Sequence, residues 1–199
     1  MAKTVVIAED EAIVRLDLRE ILEEAGYEVA GEAGRGDEAV ELVRTHVPDL
    51  VILDIKMPGM DGLEAASAIS AIGSTAVLIL TAFSQRDLVE QARDAGAIAY
   101  LVKPFEKTEL LPAIEVALAR HGELRALEAE NAQLHDDKRR YEEQLETRRW
   151  VDRAKGILMD DHGLRETDAF GFVQRTAMDR RTTMREVAKG IVDRSIVPS

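Results

Sequence analysis

The sequence predicts an α/β fold, a doubly wound five-stranded parallel sheet, followed by a helical linker and a small three-helix all-α domain. Three observations support this prediction. Short apolar runs alternate with amphipathic stretches over residues 1–120, a charged heptad repeat follows over 121–146, and residues 147–199 carry apolar residues at helical spacing. Alternation of strand and helix patterns is typical of a parallel sheet that helices cover on both faces. These three ranges are therefore the predicted domains and linker.

The five strands are predicted from short runs that are almost continuously apolar, as buried parallel strands are. They are TVVIA (4–8), YEVAG (27–31), DLVILD (49–54), TAVLIL (75–80) and AIAYLV (97–102). The stretches between them carry one apolar face at helical spacing, for example Ile13, Leu16 and Ile21. Glycines such as Gly26 and Gly73 stand near the expected ends of the elements. In such a sheet, ligands bind outside the carboxyl ends of the strands.

The middle segment carries apolar residues at the a and d positions of a heptad repeat. They are Leu124, Leu127, Leu134, Tyr141 and Leu145, whereas the other two a positions hold Asn131 and Lys138. Polar residues at a positions weaken a helix pair. The segment therefore predicts a helical linker that is either a marginal coiled coil or a solvated single helix, and the sequence favours neither.

The last segment predicts three helices, through Trp150 to Leu158, Ala169 to Ala177 and Met184 to Val192. Thr182 or Thr183 is a candidate N-cap for the third helix. Gly156 interrupts the first helix at a cost of about 1 kcal/mol relative to alanine. We therefore expect another helix or a ligand to approach the backbone closely at that position.

The amino-acid composition limits the functions that the chain is able to have. The chain has 199 residues, of which 46% are hydrophobic, and it has no cysteine, which excludes disulfides and thiolate metal sites. The stretch MAKTVVIAED has no apolar core of signal-peptide length before its first acidic residues, and no apolar run approaches about 20 residues, so we expect a cytoplasmic protein that does not enter membranes. The formal net charge is −12. Residues 1–120 hold 22 acidic and 11 basic residues, whereas 147–199 hold 8 and 11. This asymmetry indicates that the basic end meets a polyanion.

Four predicted strand ends carry side chains suited to phosphoryl chemistry. Glu9 and Asp10 follow the first strand, Asp54 ends the third, Thr81 the fourth, and Lys103 comes after the fifth. Each of these residues alone is more often a helix cap or part of a turn, but all five converge if the strands are parallel. Clustered carboxylates repel one another unless a cation joins them, and an oxygen-only set suits Mg²⁺. A carboxylate beside such a metal is able to form an aspartyl phosphate, which a lysine and a hydroxyl stabilise.

Residues 4–120 resemble the receiver domain of two-component response regulators. The motifs that carry the resemblance are AEDE (8–11), LDIKMPGMDG (53–62), LTAF (80–83) and YLVKPF (100–105). It implies a flavodoxin-like fold of the kind found in chemotaxis receivers. It also implies that Asp54 accepts a phosphoryl group from the phosphohistidine of a sensor histidine kinase.

The same resemblance assigns further roles. The implied Mg²⁺ ligands, directly or through water, are Glu9, Asp10, Asp54 and the backbone carbonyl of Lys56. Thr81 and Lys103 would bind the phosphoryl oxygens, and a cis peptide is expected before Pro104. Tyr100 would be the switch aromatic, which fills space that Thr81 vacates when it turns toward the phosphoryl group. Phosphorylation adds about −1.5 to −2 charges and three acceptor oxygens, and it biases two states by their differential contacts.

Residues 140–195 resemble an ANTAR domain, the RNA-binding output module of transcription antitermination regulators. The resemblance is carried by AKG (154–156), LM (158–159), DAF (168–170) and AM (177–178). The order of receiver, helical linker and ANTAR domain resembles the actinobacterial phosphorylation-dependent transcriptional antitermination regulators. It implies that the basic helices bind RNA stem-loops in nascent transcripts. The expected RNA contacts are Arg149, Arg153, Lys155, Arg175, Arg180 and Arg181.

The predicted function is therefore a phosphorylation-controlled antiterminator. We expect phosphorylated receivers to pair as a homodimer, which presents two ANTAR domains to two adjacent hairpins. No activity on a diffusible substrate is expected, because the tail has no convincing catalytic set. Two alternatives remain from the residues alone. One is a DNA-binding transcription regulator that uses the same helices, and the other is a protein-interaction relay that binds no nucleic acid.

Overall fold

A computed structural model describes residues 2–82 and 86–197, except the side chain of Arg86, so Phe83 of the LTAF motif lies outside the described residues. The strands are β1 (Thr4–Ala8), β2 (Glu28–Ala33), β3 (Leu50–Asp54), β4 (Ala76–Thr81) and β5 (Ala99–Val102). The helices are α1 (Ala12–Glu24), α2 (Gly36–His46), α3 (Gly62–Ile72), α4 (Arg86–Asp94), α5 (Lys107–His162), α6 (Glu166–Asp179) and α7 (Met184–Val192). None of the helices in these ranges combines the length and the apolar character that a membrane crossing needs.

The five strands form one parallel sheet in the order β2-β1-β3-β4-β5, which confirms the predicted fold class. Alternate strand residues bury opposite faces. Val6 and Leu53 pack with α2, α3 and α4, whereas Ile7 and Ile52 pack with α1 and α5. The predicted strand bounds differ most at β2, which ends two residues later than expected. This edge strand is only partly buried, so no continuous apolar run marks its end.

The predicted linker and the first helix of the predicted tail domain continue the last helix of the sheet domain as one helix, α5. Its middle part is rich in strong helix formers, and ion pairs one turn apart support it, such as Arg120 with Glu123 and Lys138 with Glu142. A single glycine, Gly122, destabilises the helix too little to end it. The chain divides into two compact units, Met1–Leu127 and Glu128–Ser199.

The second unit has a core of its own. Val151 and Leu158 of α5 pack with Val173 of α6 and Val187 of α7, and Trp150 is partly buried against them. Leu158, Val173 and Val187 belong to the apolar faces that the three helical patterns predicted, whereas Val151 was not among the predicted residues. Thr183, one of the two candidate caps, is the N-cap of α7, and its hydroxyl accepts a hydrogen bond from the backbone N–H of Glu186 at 3.2 Å.

Candidate functional site

Three carboxylates meet at the carboxyl ends of β1 and β3. Glu9 and Asp10 follow β1, and Asp54 is the last residue of β3, the neighbouring strand in the sheet. One oxygen of each lies within 4.8 Å of the others. Glu9 and Asp54 are buried, with exposed fractions of 0% and 6%, whereas Asp10 is exposed. The expected convergence of these groups is confirmed.

Lys103 joins the two buried carboxylates. Its Nζ lies 2.6 Å from Oε2 of Glu9 and 3.2 Å from Oδ1 of Asp54. The backbone positions it, because the N–H of Lys103 donates to the carbonyl of Thr81 at 2.7 Å. The peptide between Lys103 and Pro104 is cis, as the resemblance implied. One ammonium group therefore contacts two carboxylates that are shielded from water, and it offsets only one of their two negative charges.

Burial controls protonation in this cluster. Removal from water raises the pKa of Glu9 and of Asp54, although Lys103 opposes the shift in both. Burial alone would lower the pKa of Lys103, but the hydrogen bond to Glu9 and the charge of Asp54 outweigh it, and its pKa is raised. The carboxylates are thus costly to keep charged, and an additional cation would reduce that cost.

A cleft of about 240 Å³ opens beside Asp54. Thr81, buried at the end of β4, lines it together with Lys56 and Lys103. Tyr100 does not line this cleft. It is 48% exposed on β5, beside a separate groove that α4 borders. The structure therefore brings the predicted metal and phosphoryl contacts together and leaves Tyr100 outside them, so its role as a switch stays a prediction.

The donor set fits a hard divalent cation. Three carboxylates supply oxygen ligands, and the chain passes the cleft again at Lys56, two residues after Asp54. Mg²⁺ is usually bound by one or two carboxylates and keeps several waters, for which the open side of the cleft leaves room. The residues that could hold it are Glu9, Asp10, Asp54 and Lys56 through its carbonyl.

Gly62 is a site residue that sequence reasoning missed. A β-carbon at Gly62 would overlap the carbonyl oxygen of Asp54, so only glycine lets α3 begin directly behind the strand end. The preceding Asp61 caps α3 by accepting from the N–H groups of Leu63 and Glu64 at 2.9 and 2.8 Å. The capping-box pattern, an Asp followed three residues later by a Glu, indicates that a helix begins at Gly62, but it does not show how closely that helix approaches Asp54.

The second unit carries its basic groups on the surface. Five of the six predicted RNA contacts are exposed, namely Arg149, Arg153, Arg175, Arg180 and Arg181. They stand on α5, on α6 and in the turn between α6 and α7. Trp150 belongs to the core and lies 5.5 Å below the ammonium of Lys189, so it is not an exposed platform for stacking bases. The basic surface is therefore spread over three elements.

Lys155 differs from the five arginines. Its Nζ lies 3.0 Å from Oδ1 of Asp152 and 2.9 Å from Oε1 of Glu166, and only 18% of its side chain is exposed. The hydrogen bonds to Glu166 and Asp152 raise its pKa. Lys155 therefore ties α5 to the first turn of α6. Its predicted contact with RNA stays a prediction, because a phosphate would have to compete with two carboxylates.

A doubly wound sheet whose carboxyl edge holds an acidic cleft and a lysine defines a receiver domain. Residues 5–115 match the response regulator receiver domain, and residues 139–192 match the ANTAR domain. The chain belongs to the response regulators and combines a receiver with an ANTAR domain.

Known relatives agree with this membership. The transcriptional regulatory protein PdtaR of Mycobacterium tuberculosis (strain ATCC 25618 / H37Rv) is 57% identical over 191 residues, which cover 96% of this chain and 90% of that protein. The chemotaxis protein CheY of Thermotoga maritima is 42% identical over 57% of this chain and 96% of its own length. The receiver domain of the response regulator NarL from Mycobacterium tuberculosis superposes with a TM-score of 0.57 at 33% identity, over 59% of this chain and 97% of that one. The first similarity spans both domains, and the other two cover about three fifths of the chain.

Proposed function

We propose that this response regulator is a phosphorylation-controlled RNA-binding protein that causes transcription antitermination. Asp54 accepts a phosphoryl group from a sensor histidine kinase, and the ANTAR domain then binds RNA stem-loops in nascent transcripts. The observation that carries the proposal is the buried Asp54 carboxylate beside a cleft that also holds Lys103 and Thr81. The match of residues 139–192 to the ANTAR domain and the exposed arginines support the RNA-binding half.

The proposed phosphoryl transfer uses the groups of the cleft directly. An oxygen of Asp54 attacks the phosphorus of the phosphohistidine, a P–O bond forms as the P–N bond breaks, and the imidazole leaves with the electron pair and takes up a proton. The ammonium of Lys103 then partly neutralises the charge on the three phosphoryl oxygens, and the hydroxyl of Thr81 donates a hydrogen bond to one of them. Bound Mg²⁺, which receiver domains use at their acidic pocket, would add Lewis-acid neutralisation. Its proposed ligands are Glu9, Asp10, Asp54 and the carbonyl of Lys56.

The proposed switch redistributes these contacts. The phosphoryl group draws Lys103 away from Glu9 and brings the hydroxyl of Thr81 toward it. Tyr100, half exposed on β5, then turns inward and changes the surface that α4 and β5 share. The protein takes part in its own phosphotransfer and dephosphorylation and in this proposal is not an enzyme for a diffusible substrate.

An exposed apolar patch beside the cleft supports a protein phosphodonor. Ile13 and Leu16, on the first turns of α1, are 84% and 56% exposed. Helix α1 begins at Ala12, directly after Glu11, which lines the cleft, so these two residues follow the rim of the cleft closely along the chain. A kinase that brings its phosphohistidine to Asp54 must cover this rim, and the covered leucine and isoleucine would contribute hydrophobic contact area.

The heptad supports a phosphorylation-dependent homodimer. Leu124 and Leu127, its first a and d residues, are more than half exposed, and they also line a groove of about 510 Å³ with Ala97 and Ile98. A second copy of α5 that packed on the heptad would cover this groove, which adjoins the one beside Tyr100. Sedimentation should give a larger mass for the phosphorylated chain. An identical mass in both states would remove dimerisation from the mechanism.

The acceptor is tested by phosphorylation with acetyl phosphate and Mg²⁺, followed by intact-protein mass spectrometry. The unmodified chain should gain one phosphoryl group, and Asp54→Asn should gain none. Asp37→Asn, which changes an exposed carboxylate in α2, is the matched control and should be labelled normally. Undiminished labelling of Asp54→Asn would mean that another residue is the acceptor.

RNA binding is tested by selection from a pool of tandem hairpins with randomised loops, using the phosphorylated full chain. Gel shifts then compare a selected hairpin with duplex DNA over a series of salt concentrations, because contacts to phosphates make affinity salt-dependent. Preference for duplex DNA would favour a DNA-binding regulator. Failure to bind either nucleic acid would favour a protein-interaction relay.

A further inference from the structure

Gly156 has neither of the usual reasons for a glycine inside a helix. It is not among the glycines with positive φ, so its backbone conformation does not require glycine. A β-carbon built there would meet no atom within 4 Å among the described residues beyond its own turn of α5, so no second helix approaches it. Ala154 and Leu158, two positions away on either side, are fully buried. Positions two apart do not share a face, so Gly156 points away from the core.

Unpaired cations stand beside this bare stretch of backbone. Arg149, Arg153 and Gly156 are spaced by four and three residues and therefore share one side of α5. Both arginines are exposed, and neither side chain has a hydrogen bond or ion pair within residues 2–82 and 86–197. Asp160 follows on the same side and is the first acidic residue beyond Gly156 on this stripe.

The other cations of this part of α5 are arranged differently. Arg148 lies 3.9 Å from Asp152, and Lys155 is held by both Asp152 and Glu166. The groups that remain available to an anion are thus the two arginines on the side of Gly156. A polyanion that binds both arginines extends along this side of α5 to Gly156, where the residue itself places no side chain between the ligand and the main chain.

We infer that Gly156 is a contact point for the RNA backbone. Phosphates bound by Arg149 and Arg153 lead the sugar–phosphate chain across α5 at Gly156, where the missing side chain lets a ribose lie against the helix backbone. Glycine is the residue that permits such close approach to a ligand. Asp160 repels the next phosphate and ends the contact. This inference rests on the proposed RNA binding, whose failure would appear as an absence of binding by the unmodified chain.

The test pairs binding with stability, which should move in opposite directions. Gly156→Ala should bind the selected tandem-hairpin RNA about tenfold more weakly, and Gly156→Leu should bind it more weakly still, since the larger side chain holds the ribose farther away. Both variants should melt at a temperature higher by about 4 °C, because alanine and leucine favour helix more than glycine does. Fluorescence of Trp150, the only tryptophan, shows that the second unit is folded.

Gly122 provides the matched control. It lies in the same helix, and a β-carbon there would also meet nothing within 4 Å beyond its own turn. Gly122→Ala should raise the melting temperature without changing RNA affinity. Combined with Arg153→Ala, Gly156→Ala should weaken binding less than it does alone, because both residues hold the same RNA segment. Unchanged RNA affinity of Gly156→Ala, or an equal loss for Gly122→Ala, would overturn the inference while leaving RNA binding itself intact.

Discussion

The two functional surfaces of this response regulator arrange charge in opposite ways. In the receiver cleft, Glu9 and Asp54 are buried and share the ammonium of Lys103 over distances of 2.6 and 3.2 Å. In the ANTAR unit, exposed arginines such as Arg153 and Arg175 stand apart on different helices. Removing one member of a buried, coupled group of charges leaves the other charges without compensation and is strongly destabilising. Removing one exposed charge takes away only the small interaction of that charge. Single substitutions should therefore have larger effects in the cleft than on the ANTAR surface.

The largest effect is expected for Lys103→Met. Without the ammonium group, two buried carboxylates remain uncompensated, and breaking a buried pair costs about 3–5 kcal/mol. Since the pKa values of Glu9 and Asp54 are already raised, the folded state binds their protons more tightly than the unfolded chain does. The stability that these two carboxyls contribute is present below about pH 4 and is lost as the pH rises through the raised values.

Calorimetric unfolding without Mg²⁺ over a pH series measures this effect. The deficit of Lys103→Met should be small in acid and largest near neutral pH. Lys107→Met is the matched control, because Lys107 makes an exposed ion pair with Glu24 at 2.7 Å and its loss should change little. A deficit that does not depend on pH would contradict the proposed cause.

Mg²⁺ affinity should show the next largest effect. Glu9→Gln removes one of three converging carboxylates, and we expect a loss of about a hundredfold by titration calorimetry. Because burial raises the pKa of Glu9 and Asp54, protons compete with the metal, and the Mg²⁺ affinity of the unmodified chain should increase as the pH rises above about pH 4 through the raised pKa values. Glu11→Gln is the matched control. It replaces an exposed carboxylate that lines the cleft, and the variant should bind Mg²⁺ almost normally. Equal losses in the two variants would show that the cleft attracts metal only through its total charge.

The cleft was predictable from the sequence for a physical reason. Parallel strands end at a common edge, so Glu9, Asp54 and Lys103 had to converge once the strands were recognised. The space requirement at Gly62 was not visible, because it depends on how closely α3 approaches the carbonyl of Asp54. One of the two partners of Lys155 could not be predicted either, since Glu166 lies in another helix, beyond the turn that ends α5.

On the ANTAR surface, paired and unpaired cations should behave differently. Arg153→Ala should weaken binding to a selected hairpin by about tenfold and reduce the salt dependence by roughly one phosphate contact. Lys155→Ala should reduce affinity less, because Asp152 and Glu166 already neutralise the ammonium, but it should lower the stability of the unit. Fluorescence anisotropy over a salt series measures the RNA affinity, and thermal unfolding followed by the fluorescence of Trp150 measures the stability of the unit. A larger affinity loss for Lys155→Ala would mean that RNA displaces the carboxylates.

The same limits explain why individual RNA contacts were harder to predict than the cleft. An exposed arginine on a helix is usually just solvated, and no convergence of strand ends singles out Arg175 or Arg180. The continuous α5 was also not apparent, because the changes of pattern near residues 120 and 147 alter which side of the helix is apolar without interrupting the helix.

The smallest effect is expected from helix caps, one in each unit. Thr183→Ala removes the hydroxyl that accepts from Glu186 and should cost about 1 kcal/mol, seen as earlier unfolding by Trp150 fluorescence. RNA affinity below the melting transition should hardly change, because the basic surface does not depend on one cap. Asp61→Ala is the counterpart in the receiver, and its cap stands directly behind Asp54. It should slow phosphorylation of Asp54 as well as destabilise the fold, because a small movement of the end of β3 would disturb the contacts between Asp54 and Lys103. If both caps affected only stability, the cleft would be no more tightly coupled than the ANTAR surface, and the contrast between the two regions would not hold.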